Sequence, residues 1–381
     1  MRGQGIDDAP VLPLAAGFGE VRRVLLVRLD NTGDVILLSP AVAALREALP
    51  EASLTLLTSP AGARGADLLP ALDQVIVHRA SWQQLRHGTV EPEEERALIE
   101  RLRAEAFDAA IIFTSFAQDT VAPSYLCYLA GIPVRAAYGS ERFSGEVITH
   151  PVSHEDAPSH QAERNVHLVR SLGIEDPDSS LQIALPEDAV VEADALLDAA
   201  GIKDGAPFVA LVPGASAPAR RYPQQRFALV GREMAARSLP VVVLGSPNEE
   251  ALAGEVEAEA GAFAVMSLAG RTSVPVMAAV IARASVVVAN NSLALHLADA
   301  LGVPVVATYA GTDPQDYWGP RRVAHLLLTE PVPCAPCFRI ECNRGHECLD
   351  IEPREVIAAA EALLSPVERL DAAPRSGRTP A

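Results

Sequence analysis

Two segments far apart in the chain set a short aliphatic run directly against the start of a helix. This constrains the fold more than any other feature. The first, VLLVRLDNTGDVILLSPAVAALREALP, runs from Val24 to Pro50; the second, VVVANNSLALHLADALGVPVV, runs from Val286 to Val306. In each, aliphatic and β-branched residues give way to small and polar ones, and an apolar helical pattern follows at once. In open α/β sheets the ligand lies beyond the carboxyl ends of the strands, where N–H groups at helix starts face outward. Two such mouths predict two Rossmann-like halves facing across a cleft. That arrangement suits an enzyme joining two substrates, one held by each half.

The rest of the chain fits this expectation. From Val21, strand-like runs (VRRVLLVRL, SLTLLTS, DQVIVH, FDAAIIFTSF, PVRAAYGS) alternate with helical ones (PAVAALREAL, EPEEERALIERLRAEAF, PSYLCYLAGI). Strands spaced by ten-residue helices give βαβ units and a parallel sheet. HQAERNVHLVRSLGI reads as a helix, and IEDPDSSLQIALPEDAV as a polar, proline-containing connector. The alternation then restarts with strands in APFVALVPGAS, LPVVVLGSPNE, VVVAN and VPVVATYAG. Helices are expected in PQQRFALVGREMAARS, EEALAGEVEAEAG, VPVMAAVIARA and, last, EPREVIAAAEALL. The boundary between halves falls near residues 175–190. The expected organisation is a loose segment at 1–20, a first Rossmann-like domain at 21–180 and a second at 181–350. A final helix at 351–365 and a loose tail at 366–381 complete it.

Composition removes several classes of function. The net charge of −18 argues against a nucleic-acid partner, because phosphate binding needs clustered Lys and Arg, and it disfavours tight adhesion to an anionic membrane. No apolar run approaches the roughly 20 residues of a spanning helix. Residues 1–20 carry Asp7 and Asp8 instead of the basic start of a signal peptide, so the expected location is cytoplasmic. No Gly-rich loop ends in Lys-Ser or Lys-Thr, and no Gly-x-Ser-x-Gly elbow occurs.

The candidate site residues cluster at the mouths. In DNTGD, Gly33 permits a tight strand-to-helix turn and places Asp34 in the first helical turn. Asp34 then either caps the helix or serves as a proton acceptor for an attacking hydroxyl; the two readings stand side by side. In PGASAPARRYPQQRF, Gly214, Ala215 and Ser216 keep the backbone approachable, and Arg220 and Arg221 supply donors suited to phosphate oxygens. LGSPNEE, with Gly245 to Glu250, is either a similar mouth or a plain turn. In NNSLALH, Ser292 is an expected N-cap, and His296 lies four residues on along the same helical face. A helix start there could hold a diphosphate. His296 is either a ligand-facing group or a satisfied core histidine. TDPQDYWGP, Thr312 to Pro320, is expected to form one wall.

Of five cysteines, Cys127 lies in an apolar stretch and reads as a small buried residue. Cys334, Cys337, Cys342 and Cys348 fall within fifteen positions, with His346 among them. They have the spacing of a structural zinc site, or else pack a loop-rich segment as free thiols.

VRLDNTGDVILLSPAVAALREALP, PGASAPARRYPQQRF and NNSLALHLADALGVPVVATYAGTDPQDYWGP, followed by the cysteine cluster, resemble glycosyltransferase family 9, the ADP-heptose:lipopolysaccharide heptosyltransferases. The resemblance spans roughly residues 21–365 with the motifs in order. It implies a GT-B fold of two facing Rossmann-like domains with parallel sheets, the final helix crossing back onto the first. It also implies inverting, metal-independent transfer of a heptose or related sugar, with no cofactor required for catalysis. The donor would be ADP-heptose or another nucleotide sugar. The acceptor would be a glycan or lipid-linked glycan, with at most peripheral membrane contact. By position, Asp34 matches the family's proposed general base. Arg220 stands where the family usually has a donor-binding Lys, and Gly214 and Ser216 lie in the same donor loop. Ser292 and His296 match the hydroxyl and histidine of the donor-binding helix start. Asn291-Ser292-Leu293 replaces the usual Asp-Thr-Gly. Asn291 keeps the shape of the acid without its charge, and Leu293 adds a side chain where the backbone would approach the diphosphate. Those two residues motivate an alternative, a non-catalytic glycosyltransferase-like nucleotide-binding or scaffold protein.

Overall fold

A computed structural model describes residues 21–83, 91–115, 118–139, 147–175, 177–261 and 264–364. The loose segments expected at 1–20 and 366–381 lie outside the described residues. The first half runs β1 (Arg23–Arg28), α1 (Thr32–Ile36), α2 (Ser39–Ala48), β2 (Ser53–Thr58), β3 (Gln74–Val77), α3 (Pro92–Ala104), β4 (Ala109–Ile112), α4 (Val121–Leu129), β5 (Val134–Tyr138), β6 (His150–Val152) and α5 (Gln161–Ser171). The second runs α6 (Glu187–Ala199), β7 (Val209–Val212), α7 (Gln224–Ala236), β8 (Val241–Val243), α8 (Glu250–Ala260), β9 (Val265–Ser267), α9 (Val274–Arg283), β10 (Val286–Asn290), α10 (Leu293–Leu301), β11 (Val305–Thr308), α11 (Gln315–Trp318), β12 (His325–Leu328) and α12 (Pro353–Leu364).

The strands form two six-stranded sheets, ordered β3-β2-β1-β4-β5-β6 and β12-β11-β10-β7-β8-β9, and every pairing is parallel. At the centre of the first sheet, Leu26 of β1 registers with Leu56 on one side and Ile111 on the other. In the second, Val288 of β10 lies between Leu211 and Val306. Helices cover both faces, so the central strands are buried throughout, which is why they read as unbroken aliphatic runs. The strand order reverses between β1 and β4, and again between β10 and β7. These switch points open crevices at the carboxyl ends of the strands. Both mouths read from the sequence fall there.

Four elements depart from the sequence reading. The connector ends at Pro186, and Glu187 begins α6, whose buried stripe is Ala189, Ala193 and Leu197. Acidic Glu187 and Asp188 in its first turn suit the helix dipole. Strands β6, β9 and β12, three or four residues each, extend the sheets outward beyond the strands expected.

The last helix corrects an expectation. Over its described residues α12 packs on the second half, against α7 and strands β10 to β12, rather than crossing back onto the first. Val356, Ile357, Ala359 and Ala360 bury there beside Val209, Val286 and Val306, completing the outer face of that sheet. The halves meet elsewhere: α10 touches α1, and α9 touches the 3₁₀ turn at Gly62–Leu68. Among the described residues no helix is long and apolar enough to cross a membrane.

Candidate active site

Between the halves lies a cleft of about 990 Å³ lined by both mouths. On the first side, α1 begins immediately after β1, and Asp34 sits in its first turn. One carboxylate oxygen accepts the Asn31 N–H at 3.2 Å, and the other accepts Arg28 Nη2 at 2.8 Å. Asp34 therefore closes the helix start, as the capping reading expects, and it also lines the cleft. Arg28, at the end of β1, is fully buried and pairs with Asp30 as well, its Nε lying 3.0 Å from Asp30 Oδ2. Burial raises the Asp30 carboxyl above the usual range; Arg28 opposes that, Asp34 adds to it, and Gln118 opposes it again.

On the second side, α10 presents its first turn to the cleft. Ser292 occupies the N-cap position, but its hydroxyl makes no capping bond. That oxygen is buried with no partner among the described residues, although Ser292 lines the cleft. The residue expected to cap thus carries a buried hydroxyl, unbonded among the described residues, at the edge of the cleft. Asn291 is buried, and its side-chain oxygen accepts the Ala310 N–H at 3.3 Å. The neighbouring Asn290 ties three segments together: it accepts Tyr222 N–H and the Thr308 hydroxyl, each at 2.9 Å, and donates to Pro213 O at 2.7 Å. Leu293 also lines the cleft.

His296 joins the two sides. A Cβ built on Gly33 would lie 3.0 Å from His296 Cδ2, so the ring rests against the first mouth and Gly33 is needed for the approach. Burial pushes this imidazole down to about 4, against the pull of Asp34. It is neutral near pH 7 and can orient a ligand by hydrogen bonding, not by charge.

Gly214 and Ser216 line the cleft after β7. A Cβ at Gly214 would overlap the Glu249 carboxylate, which itself accepts from Ser246 N–H at 2.9 Å and Ser246 Oγ at 2.8 Å. The Gly245–Glu250 turn is therefore a third lip of the same cleft. Arg220 also lines the cleft, held by Asp313 at 2.6 Å and by the Thr312 hydroxyl at 3.2 Å. The expected wall at Thr312–Pro320 supplies those partners and also Trp318 in the lining. Arg221 turns away and donates to Ala215 O at 3.0 and 2.9 Å, bracing the loop.

The four C-terminal cysteines are free, partly exposed thiols. Cys342 Sγ accepts the N–H groups of Arg344 and His346 at 3.4 Å each. Among the described residues no three His, Cys, Asp or Glu side chains are grouped to hold a metal ion. Cys127 is buried, its thiol pushed up to about 12 by burial, as expected of a small core residue.

Sequence reasoning missed Arg28, Asp30 and Gln118. A charged residue inside an otherwise aliphatic buried strand was the available signal for Arg28, since such a group must find partners.

Two Rossmann-like halves with a cleft between them, lined by Asp34 on one side and by a helix start and Arg220 on the other, have the architecture of a GT-B glycosyltransferase. The family model for "Glycosyltransferase family 9 (heptosyltransferase)" matches residues 95–347, and the chain belongs to this family. Lipopolysaccharide heptosyltransferase 3 of Escherichia coli K12 is 27% identical over 342 residues, covering 87% of this chain and 95% of that protein. A family 9 glycosyltransferase crystal structure from Veillonella parvula superposes with a TM-score of 0.76 at 22% identity, covering 90% and 97% of the two chains. The E. coli heptosyltransferase WaaC with ADP-2-deoxy-2-fluoro heptose superposes at 0.65 with 21% identity, covering 89% and 99%.

Proposed function

We propose that this glycosyltransferase moves a heptose, with inversion, from ADP-heptose or a closely related nucleotide sugar to a hydroxyl of a lipid-linked glycan. Asp34 is the general base. As the acceptor oxygen attacks the anomeric carbon, its proton passes to the Asp34 carboxylate, the bond from the anomeric carbon to the diphosphate breaks, and the nucleoside diphosphate leaves. Arg220, the Ser292 hydroxyl and the N–H groups opening α10 meet the charge developing on the leaving group, while His296 orients it. Gly214 and Ser216 keep the donor loop close, and Asn291 holds the end of β10 beneath it. The reaction so written requires no metal. The donor chemistry suits the cytoplasm, with peripheral contact at most where the acceptor is anchored.

The observation that carries this reading is the meeting of the mouths: Gly33, next to Asp34, lies against His296 of the donor helix. The names of the relatives, lipopolysaccharide heptosyltransferases, support the substrate class. Asp34→Ala is expected to abolish transfer while leaving nucleotide affinity within about twofold. Unchanged turnover would reject the base assignment. A thermal-shift panel of ADP-, UDP-, GDP- and dTDP-sugars identifies the donor, because a saturating ligand stabilises by roughly 3 kcal/mol at a hundredfold excess over Kd.

A further inference from the structure

The base is one member of a larger charge cluster. Arg28, wholly buried at the end of β1, divides its guanidinium between two carboxylates: Nε faces Asp30 Oδ2 at 3.0 Å and Nη2 faces Asp34 Oδ1 at 2.8 Å. Nη2 also reaches Ser115 Oγ at 3.1 Å; Nη1 has no hydrogen-bond partner among the described residues, and the contact of Nε with Asp30 is an ion pair without hydrogen-bond geometry. Asp30 is fixed from the other side by the loop after β4, since its second oxygen accepts from Gln118 Nε2. Gln118 is itself anchored, its side-chain oxygen accepting the Ser115 N–H at 2.9 Å. The Asp30 side chain is only 8% exposed. The other charged or titratable groups around the cluster are His296 from α10, Arg164 from α5, and Arg64 and Asp67 from the 3₁₀ turn. None of them forms an ion pair with Asp34 among the described residues.

An undivided arginine fork tends to close on one carboxylate through two parallel N–H bonds. A carboxylate gripped that way has both oxygens held by the cation and is a poorer proton acceptor. Here that closure is blocked, because Asp30 occupies the Nε side of the fork. Asp34 keeps one guanidinium bond and one longer backbone bond, which orient it without enclosing it.

We propose that Asp30 is a positioning residue for glycosyl transfer: by holding the Nε side of Arg28 it leaves Asp34 oriented yet open to the acceptor hydroxyl. This rests on the reading of Asp34 as the base. Asp30 does not take the proton. It sets how tightly Arg28 holds the group that does.

The test is steady-state kinetics of the full chain, following ADP release from ADP-heptose with a deacylated core glycan as acceptor. Asp30→Asn, nearly isosteric, is expected to lower kcat by about tenfold or more, with both KM values and the Kd for ADP within about twofold of wild type. If Asp30 acts through Arg28, the same substitution made in an Arg28→Gln background costs less than about threefold, a non-additivity that an unrelated structural role does not produce. Wild-type kcat in Asp30→Asn, or equal losses in the two backgrounds, overturns the inference while an inactive Asp34→Ala leaves the base reading intact. Turnover by Asp34→Ala overturns both. If Asp30→Asn fails to give folded protein by circular dichroism, Gln118→Ala decides. A severalfold fall in kcat at unchanged KM supports the role of Asp30, and wild-type kinetics overturns it.

Discussion

His160 makes a quantitative prediction about stability and pH. It is buried at the start of α5, where its Nδ1 accepts the Ala162 N–H at 3.2 Å and its Nε2 lies 2.9 Å from Gly319 O in the other half of the molecule. Only the neutral ring with its hydrogen on Nε2 satisfies both bonds. Protonation would place a second N–H against the Ala162 N–H and break the cap. Burial, assisted by Arg321, therefore pushes this histidine from 6.5 down to about 4, against the Gly319 carbonyl, Glu163 and Asp299. Because the folded value lies below the unfolded one, the stability it contributes is whole above about 6.5 and is lost as pH falls toward 4. A shift of this size corresponds to roughly 3 kcal/mol in full. Between pH 7 and pH 5 the loss works out at about 2 kcal/mol. His160→Asn keeps a good N-cap residue but removes both the titration and the bond to Gly319. At pH 7 the variant is expected to be about 1 kcal/mol less stable by urea unfolding. From pH 7 to pH 5 it should lose about 2 kcal/mol less than wild type, so that the order of stability reverses. Equal losses in the two proteins over that window would refute the reasoning.

Two further outcomes follow from the cleft. Ser292→Ala removes a hydroxyl that has no partner among the described residues, so the melting temperature should stay within about a degree while the Kd for ADP, read by calorimetry, rises about tenfold, the size of one hydrogen bond to a charged group. Gly33→Ala sets a methyl 3.0 Å from His296 Cδ2 and should prise the mouths apart by a few tenths of an ångström. It is expected to lower kcat by roughly tenfold with donor affinity little changed, since misplacement of reacting groups is felt in the chemical step; a wild-type kcat would show that the contact is incidental.

The central strands could be read from the sequence because burial on both faces leaves them no choice but aliphatic residues, as in Val24–Val27 and Val286–Ala289. The outer strands do not carry that mark. β6 is the tripeptide His150–Val152 with a proline inside it, tolerated at an edge, and β12 is half exposed. α6 hid behind its composition: Pro186, two acids and a stripe largely of alanine resemble a connector until α9 is packed against it. Within the site, the residues on each mouth were visible because they sit at fixed offsets from a strand end. Their partners were not. Gln118 lies 88 positions from Asp30, and no local pattern brings the two together. The zinc-like spacing of Cys334, Cys337, Cys342 and Cys348 was legible, and in the structure all four are free, partly exposed thiols.

The departures at Asn291 and Leu293 look different once the neighbouring residues are in place. A carboxylate at 291 would accept the Ala310 N–H just as the Asn291 oxygen does, so the amide preserves the bond that fixes the end of β10 while withdrawing a negative charge from the donor side. Negative charge in the cleft then remains on Asp30 and Asp34 around Arg28, on Glu249 beside Gly214 and on Asp67, Asp188 and Glu192, with Asp313 paired to Arg220 at its edge. If the donor diphosphate binds as proposed, it meets an arginine already engaged by Asp313 and must draw Arg220 away from that partner or share it. On the proposed donor assignment, selectivity rests on the competition between Asp313 and the diphosphate for Arg220, and on the unbonded Ser292 hydroxyl. On that assignment the second half offers its ligand hydrogen bonds at the start of α10, and the compensating charge comes from across the strand order at the end of β7.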